Sequence, residues 1–196
     1  MTDNTHQSAP VPAGDVVPGE LPVPITVWPV PAPIEGDAMS NAMGVRLVHN
    51  LTHPSDLVID LTCGPQLARA VIAARRRSHP HPDRTGGWGR SLVKLIVTVW
   101  PVPVTGWPMP DSTPVDFFRH CHDSLVPGGC VAVLLPHADT HMPGDVILTA
   151  RLAGLAYLQH VVAADRAPRR GEHVHLDIHT DVLILTRSRS DESGLR

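Results

Sequence analysis

The sequence is poor in cysteine and in long apolar runs, and each scarcity excludes a class of protein. Its 196 residues include only three cysteines, with no Cys-x-x-Cys spacing, which argues against a disulfide framework and a cysteine zinc site. No stretch approaches the roughly 18 to 20 apolar residues of a membrane span. Residues 1–20 also lack the basic and apolar regions of a signal peptide. The sequence thus predicts free thiols and a cytoplasmic protein without a membrane partner.

The chain also lacks an excess of positive charge. Its formal net charge is −3, so the molecule as a whole exerts no attraction on a polyanion such as DNA. The arginines at residues 75–77 and 169–170 form local clusters, which are commonly solvated helix ends or loops. Whether a nucleic acid is a partner therefore stays open on charge alone.

Proline is abundant instead, with 21 residues, and 42% of the chain is hydrophobic. Residues 1–24 are rich in Pro, Gly and small residues and show no periodicity, so they bury too little apolar surface to offset their ordering entropy. We predict a disordered Pro-rich tail over residues 1–24, one α/β domain over 25–187, and a disordered polar tail over 188–196. The Pro-rich tail could serve as a polyproline ligand for a protein partner.

Between the tails, short apolar runs alternate with helical patterns. Strands are predicted at residues 56–61, 92–99, 130–135 and 157–163, with one or two more over 173–186. Helices are predicted at residues 38–51, 66–77, 115–125 and 145–155. Three arginines are expected to close the second of these helices and complement its dipole. Continuously apolar strands alternating with helices indicate a parallel sheet covered on both faces, with ligands bound at the carboxyl ends of the strands.

The turn after the first of these strands is a candidate ligand site. Asp60 lies near the end of the strand, Gly64 follows in the turn, and a helix opens directly afterwards. Glycine lets the backbone approach a ligand closely, and a helix N-terminus can receive negative charge. Taken alone, the pattern also fits a plain strand-to-helix turn.

Three turns, in this order, resemble those of the S-adenosylmethionine (SAM)-dependent amino-methyltransferases that modify exocyclic nitrogens of DNA bases. Asp60-Leu61-Thr62-Cys63-Gly64-Pro65-Gln66 is similar to the family's Asp-Pro-Phe/Met-x-Gly-x-Gly loop. Val99-Trp100-Pro101-Val102 stands where the family has Asp/Asn/Ser-Pro-Pro-Tyr. Leu125-Val126-Pro127-Gly128-Gly129 resembles the Leu-x-Pro-Gly-Gly turn of many SAM methyltransferases. The resemblance covers roughly residues 38–187.

The resemblance implies a Rossmann-like SAM-methyltransferase sheet, mostly parallel with an antiparallel edge strand. It implies SAM as the cofactor, bound by Asp60, Thr62, Cys63, Gly64 and Gln66, and a catalytic turn at Val99, Trp100 and Pro101. Only residues 78–91 separate the second helix from the next strand, which is too short for the usual strand-helix-strand. We therefore expect a sheet reduced at this central segment. No acidic residue for the SAM ribose can be placed there, because Asp83 lies in a Pro/Gly-rich loop.

The departures from the family pattern concern the chemistry. Gln66 stands at the family's second glycine, where its side chain would crowd the methionine portion of SAM. Val99 offers a target amine only its backbone carbonyl, and Val102 lacks the π-face of the base-stacking tyrosine. Trp100 could stack in its place, and no segment is long enough for a separate target-recognition domain. These departures predict weak or no catalysis, with a non-catalytic binding or regulatory module as the alternative.

The thirteen histidines raise a third interpretation. In a continuous strand, His173, His175, Asp177 and His179 would share one face, where two histidines and a carboxylate could hold a metal. A solvent-facing polar strand explains the same pattern, and we predict no metal site. The loop after the 130–135 strand carries further acid/base candidates, which a polar loop explains equally well: His137, Asp139 and His141.

A hexapeptide, Thr-Val-Trp-Pro-Val-Pro, occurs at residues 26–31 and again at 98–103. Because the flanking sequences differ, it does not indicate a repeat architecture. The first copy lies where the predicted tail meets the predicted domain. We expect its Trp28 to pack over the sheet edge or over the ligand crevice.

Overall fold

The computed structural model describes residues 25–79, 90, 92–102, 113–136, 142–165 and 177–189. The predicted tail at residues 1–24 and most of the one at 188–196 lie outside these ranges. In chain order the elements are β1 (Ile25–Pro29), α1 (Asn41–Leu51), β2 (Leu57–Asp60), α2 (Pro65–Ala73), β3 (Arg77–His79), β4 (Val93–Val99), α3 (Pro114–Ser124), β5 (Leu125–Pro136), α4 (Met142–Leu152), β6 (Ala156–Ala164) and β7 (Ile178–Thr186).

The strands form one seven-stranded sheet in the order β1-β6-β7-β5-β4-β2-β3. Neighbouring strands run parallel except at β7, which is antiparallel to β5 and β6. The predicted Rossmann-like α/β sheet, mostly parallel with an antiparallel strand, is confirmed, although that strand was expected at the edge of the sheet and β7 lies inside it. β7 lies between β5 and β6, and β1 adds a further strand at the same side of the sheet.

The central strands are apolar on both faces, which is why helices cover both sides of the sheet. Along β4, Leu95 and Val97 face α1 and α2 and join one buried cluster with Met43 and Leu67. Ile96 points the other way, into a second cluster that includes Phe117 of α3 and Val146 of α4. A strand buried on both faces reads as a continuous apolar run, and this is the pattern that residues 92–99 display.

Side-chain caps fix where two of the helices begin. The Ser40 hydroxyl accepts from Met43 N (3.3 Å) at the start of α1. At α3, Thr113 and Asp116 form a capping box, in which each side chain accepts from the backbone N–H of the other residue. Among the helices in the described ranges, none combines the length and apolar character that crossing a bilayer requires.

The expected end of the second helix was wrong. α2 stops at Ala73, and Arg75 has a φ of +55°, in the left-handed region that ends a helix. Arg76 Nε donates to Thr52 Oγ1 (3.0 Å) and Arg77 Nε donates to Ser55 O (2.8 Å). The arginines did not close the helix because oxygen acceptors in the preceding loop bind their side chains, and the backbone of Arg77 already belongs to β3.

The strand β1 was not predicted from sequence. It pairs with β6 in parallel, from Ile25 beside His160 to Pro29 beside Ala164. Trp28 is buried in the cluster beneath α1, with the Arg46 guanidinium 5.7 Å from the centre of its ring. Trp28 thus packs on the sheet at its edge strand, the first of its two expected placements.

The two copies of the hexapeptide end two parallel strands, β1 and β4, at the same edge of the sheet. Their equivalent side chains nevertheless enter opposite faces. Val30 joins the cluster under α1 and α2, whereas Val102 joins the cluster under α3 and α4. Four residues of the first copy lie within β1, whereas only Thr98 and Val99 of the second lie within β4, so the identical letters do not mark a repeated unit.

Removing the cap of α3 tests how the helix start is specified. We expect Thr113→Ala to lower the free energy of unfolding by about 1 kcal/mol, because the side-chain acceptor for Asp116 N is lost. Urea denaturation at neutral pH measures the change. Thr149→Ala is the matched control, because Thr149 lies within α4 and bonds back to Asp145 O (2.7 Å), which contributes no cap. An equal loss in both variants would contradict the prediction.

The same capping box predicts that the stability of the fold depends on pH in the acid range. Hydrogen bonds from the Thr113 side chain and backbone, with a smaller contribution from Arg119, hold the pKa of Asp116 below its ordinary value. A folded-state pKa below the unfolded one stabilises the fold above the unfolded value, and this contribution is lost as the pH falls below about 4. The difference in unfolding free energy between the wild type and Thr113→Ala should therefore shrink in acid. A difference that grows instead would contradict it.

Candidate functional site

Two turns predicted to form one site leave the sheet on adjacent strands. Asp60 of β2 pairs with Val97 of β4, and Leu61 N donates to Val97 O (2.9 Å). Residues 60–66 and residues 99–101 therefore emerge at the same carboxyl edge. This is the edge at which open α/β sheets bind ligands.

The carboxylate of Asp60 shapes the first of these turns. Its Oδ1 accepts from Thr62 N (2.9 Å) and from Thr62 Oγ1 (2.6 Å). Thr62 is itself buried, while Cys63, next in the chain, is exposed. Asp60 thus folds the turn back on itself and presents the following residues towards the edge of the sheet.

Helix α2 opens at this turn without a side-chain cap. Its N-cap residue is Gly64, which has an extended backbone (φ −137°), and Pro65 occupies the first helical position. Because glycine has no side chain to accept from the first-turn N–H groups, the positive end of the helix dipole is directed at the site. An acceptor group of a ligand would meet favourable electrostatics here.

The side chain of Gln66 folds back over Gly64. A Cβ at position 64 would collide with Gln66 Oε1, and would lie 3.1 Å from the amide carbon of the same side chain. Gln66 is 7% exposed, so its amide is held there by its surroundings. The group that comes close to Gly64 is therefore the chain's own carboxamide.

The backbone of Gln66 is held just as closely. A Cβ on Gly44 of α1 would lie 3.0 Å from Gln66 O, a separation tighter than ordinary contacts. Glycine at position 44 therefore lets α1 pack directly against the first turn of α2.

A cavity of about 310 Å³ opens on the other side of Gln66. Its wall is formed by the segment after β1 and by the start of α1. Ile34 and Met39 contribute apolar surface, and Asp37 and Asn41 contribute polar groups. Gln66 is therefore the residue that the turn and the cavity share, because it comes close to Gly64 and also lines the cavity.

Residues not predicted for the site fasten the wall of this cavity. Val30 N continues the sheet by donating to Ala164 O (3.0 Å), and Ala32 N donates to Asp165 Oδ1 (2.5 Å). His179 Nε2 lies 3.0 Å from Val30 O. Since a carbonyl oxygen only accepts, Nε2 carries the proton and donates. The sequence did not predict these contacts, because they depend on the pairing of β1 with β6, which was itself not predicted.

The described histidines of this region contact other protein groups rather than forming the metal site considered above. His179 Nδ1 lies 3.0 Å from Thr180 Oγ1, so both ring nitrogens have protein partners. His160 Nε2 lies 2.8 Å from Asp181 Oδ1, across β6 and β7. His173 and His175 lie outside the described residues. Within the part of the chain that the structure describes, no three His, Cys, Asp or Glu side chains are grouped to hold a metal ion.

The predicted catalytic turn is built from packed, non-polar side chains. Trp100 stacks on Phe118 of α3, with ring centroids 5.5 Å apart and an angle of 15° between the planes. Its backbone N–H donates to Leu134 O (3.0 Å). Val102 is buried, Val99 is half-buried and Pro101 is exposed. These four side chains include no proton acceptor. The acid/base candidates His137, Asp139 and His141 lie outside the described residues, as does Asp83, which was considered for the SAM ribose.

No family model matches the chain, and no curated protein matches it. The fold is similar to a TehB-like SAM-dependent methyltransferase from Corynebacterium glutamicum, with 12% identity, 74% of this chain and 87% of the other covered, and a TM-score of 0.45. It is also similar to a geranyl diphosphate methyltransferase in complex with SAM, with 10% identity, coverage of 76% and 86%, and a TM-score of 0.48.

A third similar structure is 1,6-didemethyltoxoflavin-N1-methyltransferase from Burkholderia thailandensis, with bound 1,6-didemethyltoxoflavin and S-adenosylhomocysteine. The identity is 14%, the coverage is 76% of this chain and 78% of the other, and the TM-score is 0.46. Similarity at this level concerns the chain trace. It assigns neither a reaction nor a ligand to this protein.

The three thiols should differ in reactivity, because only the one in the turn at residues 60–66 is exposed. Cys63 is exposed, while Cys121 and Cys130 are buried. Burial raises the pKa of the Cys121 thiol well above its ordinary value and also raises that of Cys130. Because the thiolate is the reactive form, we expect one thiol per folded chain to react rapidly with an aromatic disulfide reagent at neutral pH, and the other two only after unfolding. Rapid reaction that persists in Cys63→Ser would contradict this assignment.

Proposed function

We propose that this chain is a SAM-methyltransferase-like protein whose carboxyl-edge site binds SAM weakly and transfers its methyl group poorly or not at all. The observation that carries the proposal is the junction at residues 60–66. There the carboxylate of Asp60 closes a turn after a central strand, and α2 begins at Pro65 with Gly64 as an N-cap that has no side chain. A cavity that Gln66 helps to line lies beside this junction.

The residues present fit an adenosyl cofactor in part. The open N-terminus of α2 suits a carboxylate, and the cavity offers apolar surface with a few polar groups, as small-molecule sites do. The space over Gly64, however, is filled by the Gln66 amide. Binding would therefore require the Gln66 side chain to rotate away from Gly64, and the free energy of that rearrangement lowers the affinity.

When bound, SAM supplies an electrophilic methyl group. Asp60 and Thr62 would hold the turn in shape, and Cys63, Gly64 and Gln66 would line the path to the cavity. At the neighbouring turn, Val99, Trp100 and Pro101 offer an incoming amine only backbone carbonyl oxygen. General acid–base help from a positioned side chain contributes typically 10²- to 10⁴-fold to a rate. Its loss at residues 99–101 supports a weak or absent transfer activity.

The relation to DNA amino-methyltransferases belongs to the proposal as well, and it rests on the order of the three turns along the chain. A flipped base would need an aromatic surface at the second turn. Trp100 is the aromatic residue there, and one of its faces packs against Phe118. The structure therefore supports DNA methylation less well than it supports a cofactor-binding fold.

A second candidate is a non-catalytic binding or regulatory module that kept the fold and lost the cofactor pocket. The observation favouring it is the same buried amide of Gln66 over Gly64, together with the apolar packing at residues 99–102. The Pro-rich tail at residues 1–24 would be its protein-binding segment. The two candidates differ in whether the site can open to a cofactor.

Calorimetric titration with SAM and with S-adenosylhomocysteine distinguishes them. We expect weak binding by the wild type and at least about tenfold tighter binding by Gln66→Ala, because the variant removes the amide without touching the turn. Asn50→Ala, an exposed amide on α1, is the matched control and should behave as the wild type. Ligand should also slow the reaction of Cys63. No heat from either ligand with the wild type or with Gln66→Ala, in samples that melt cooperatively, would remove the cofactor and favour the module.

A further inference from the structure

Two basic side chains, Lys94 and Arg189, lie against one glycine at the amino edge of the sheet, opposite the candidate site. Gly128, near the start of β5, has a φ of +74°. Its carbonyl oxygen accepts from Lys94 Nζ of β4 (2.8 Å), and its N–H donates to Arg187 O (2.8 Å), just after β7. The left-handed backbone at Gly128 directs both groups towards the flanking strands, so the ends of β4 and β7 converge on this turn.

Arg189 lies on the bare side of the same glycine. A Cβ at position 128 would come within 3.0 Å of Arg189 Nε and 3.7 Å of its Nη2. Any residue other than glycine would therefore displace this guanidinium as well as strain the backbone. The Lys94 ammonium and the Arg189 guanidinium therefore both lie next to Gly128.

Arg187 has a positioning role in this cluster. Its Nη1 donates to Leu125 O (2.7 Å) and lies 3.4 Å from His122 O, at the carboxyl end of α3. A cation at a helix C-terminus is favourable, which explains Arg187 as part of the fold. It also adds a further positive charge beside Lys94 and Arg189.

Lys94 and Arg189 are not neutralised within the described residues. Lys94 donates to one carbonyl, which leaves ammonium hydrogens for other acceptors, and Arg189 makes no hydrogen bond or ion pair there. The nearest acidic residue along α3, Asp123, pairs with His122 (3.3 Å). Two positive charges held close together repel each other, and a bound anion relieves this repulsion. This local positive charge contrasts with the net negative charge of the chain.

We propose that Lys94 and Arg189, on the Gly128 turn and supported by Arg187, form a binding site for a phosphate-type anion. An ammonium and a guanidinium offer several charged donors from different directions, which suits a tetrahedral group with several acceptor oxygens. The anion would come from a small phosphorylated molecule or from a nucleic-acid backbone. The site lies at the opposite edge of the sheet from the Gly64 turn and does not depend on cofactor binding there.

Titration of the full chain with inorganic phosphate, at constant ionic strength set with chloride, tests the site. Arg189→Gln is expected to weaken phosphate binding by about tenfold, and Lys94→Met by a similar factor, because each removes a charge-assisted hydrogen bond. Arg119→Gln is the matched control, since Arg119 is an exposed cation on α3 paired with Asp116, and should leave the affinity within about twofold of the wild type. Thermal melting of each variant without phosphate checks that the fold is kept.

A short DNA duplex, titrated in parallel, separates the two sources of the anion. If Arg189→Gln weakens both phosphate and duplex, the site serves a nucleic-acid backbone. If it weakens phosphate alone, the site serves a small phosphorylated ligand. No phosphate binding by the wild type, or an equal loss in Arg189→Gln and Arg119→Gln, would overturn the proposal.

Discussion

Burial of the central strands on both faces is the constraint on which the rest of this structure depends. In β4, Leu95, Ile96 and Val97 are completely buried, with alternate side chains in two different cores. Helices must therefore cover both sides, and the backbone becomes accessible only where strands end. The two proposed sites lie at those ends. The Asp60 turn, the Trp100 turn and the segment after β1 are at the carboxyl edge, and the basic turn around Gly128 is at the amino edge.

The contact between Gln66 and Gly64 shows that a glycine in a strand-to-helix turn does not by itself mark a ligand. Glycine permits close approach by whatever group is nearest, and here that group is an amide two residues along the same chain. The tight packing of Gly44 on Gln66 O has the same character. In both places the space that glycine leaves open is occupied by atoms of Gln66.

Much of the fold was predictable because buried strands and amphipathic helices leave strong local patterns, as residues 92–99 and 115–125 do. Gln66 was also singled out from the motif alone as a side chain that would crowd the turn, and its amide does lie close to Gly64. β1 was missed because five residues within a Pro-rich stretch carry no periodic signal, and its partner β6 lies far along the chain. The roles of Asp165 and His179 were missed for the same reason, because their contacts with residues 30–32 exist only through that pairing. The end of α2 was misplaced because arginines favour a helix terminus by charge, whereas tertiary acceptors decided their positions.

The pairing of β1 with β6 has a consequence for how the protein is made. Ile25 lies opposite His160, so β1, which precedes the other described strands in the chain, must wait for nearly the whole domain before it can add to the sheet. Domains grow from the N-terminus at about 5 to 20 residues per second during synthesis, and long-range parallel pairing is intrinsically slow. Until β6 is in place, Trp28 and the cavity wall that follows β1 have no sheet to pack on. The cavity wall that follows β1 is therefore completed late, although its residues precede the rest of the sheet in the chain.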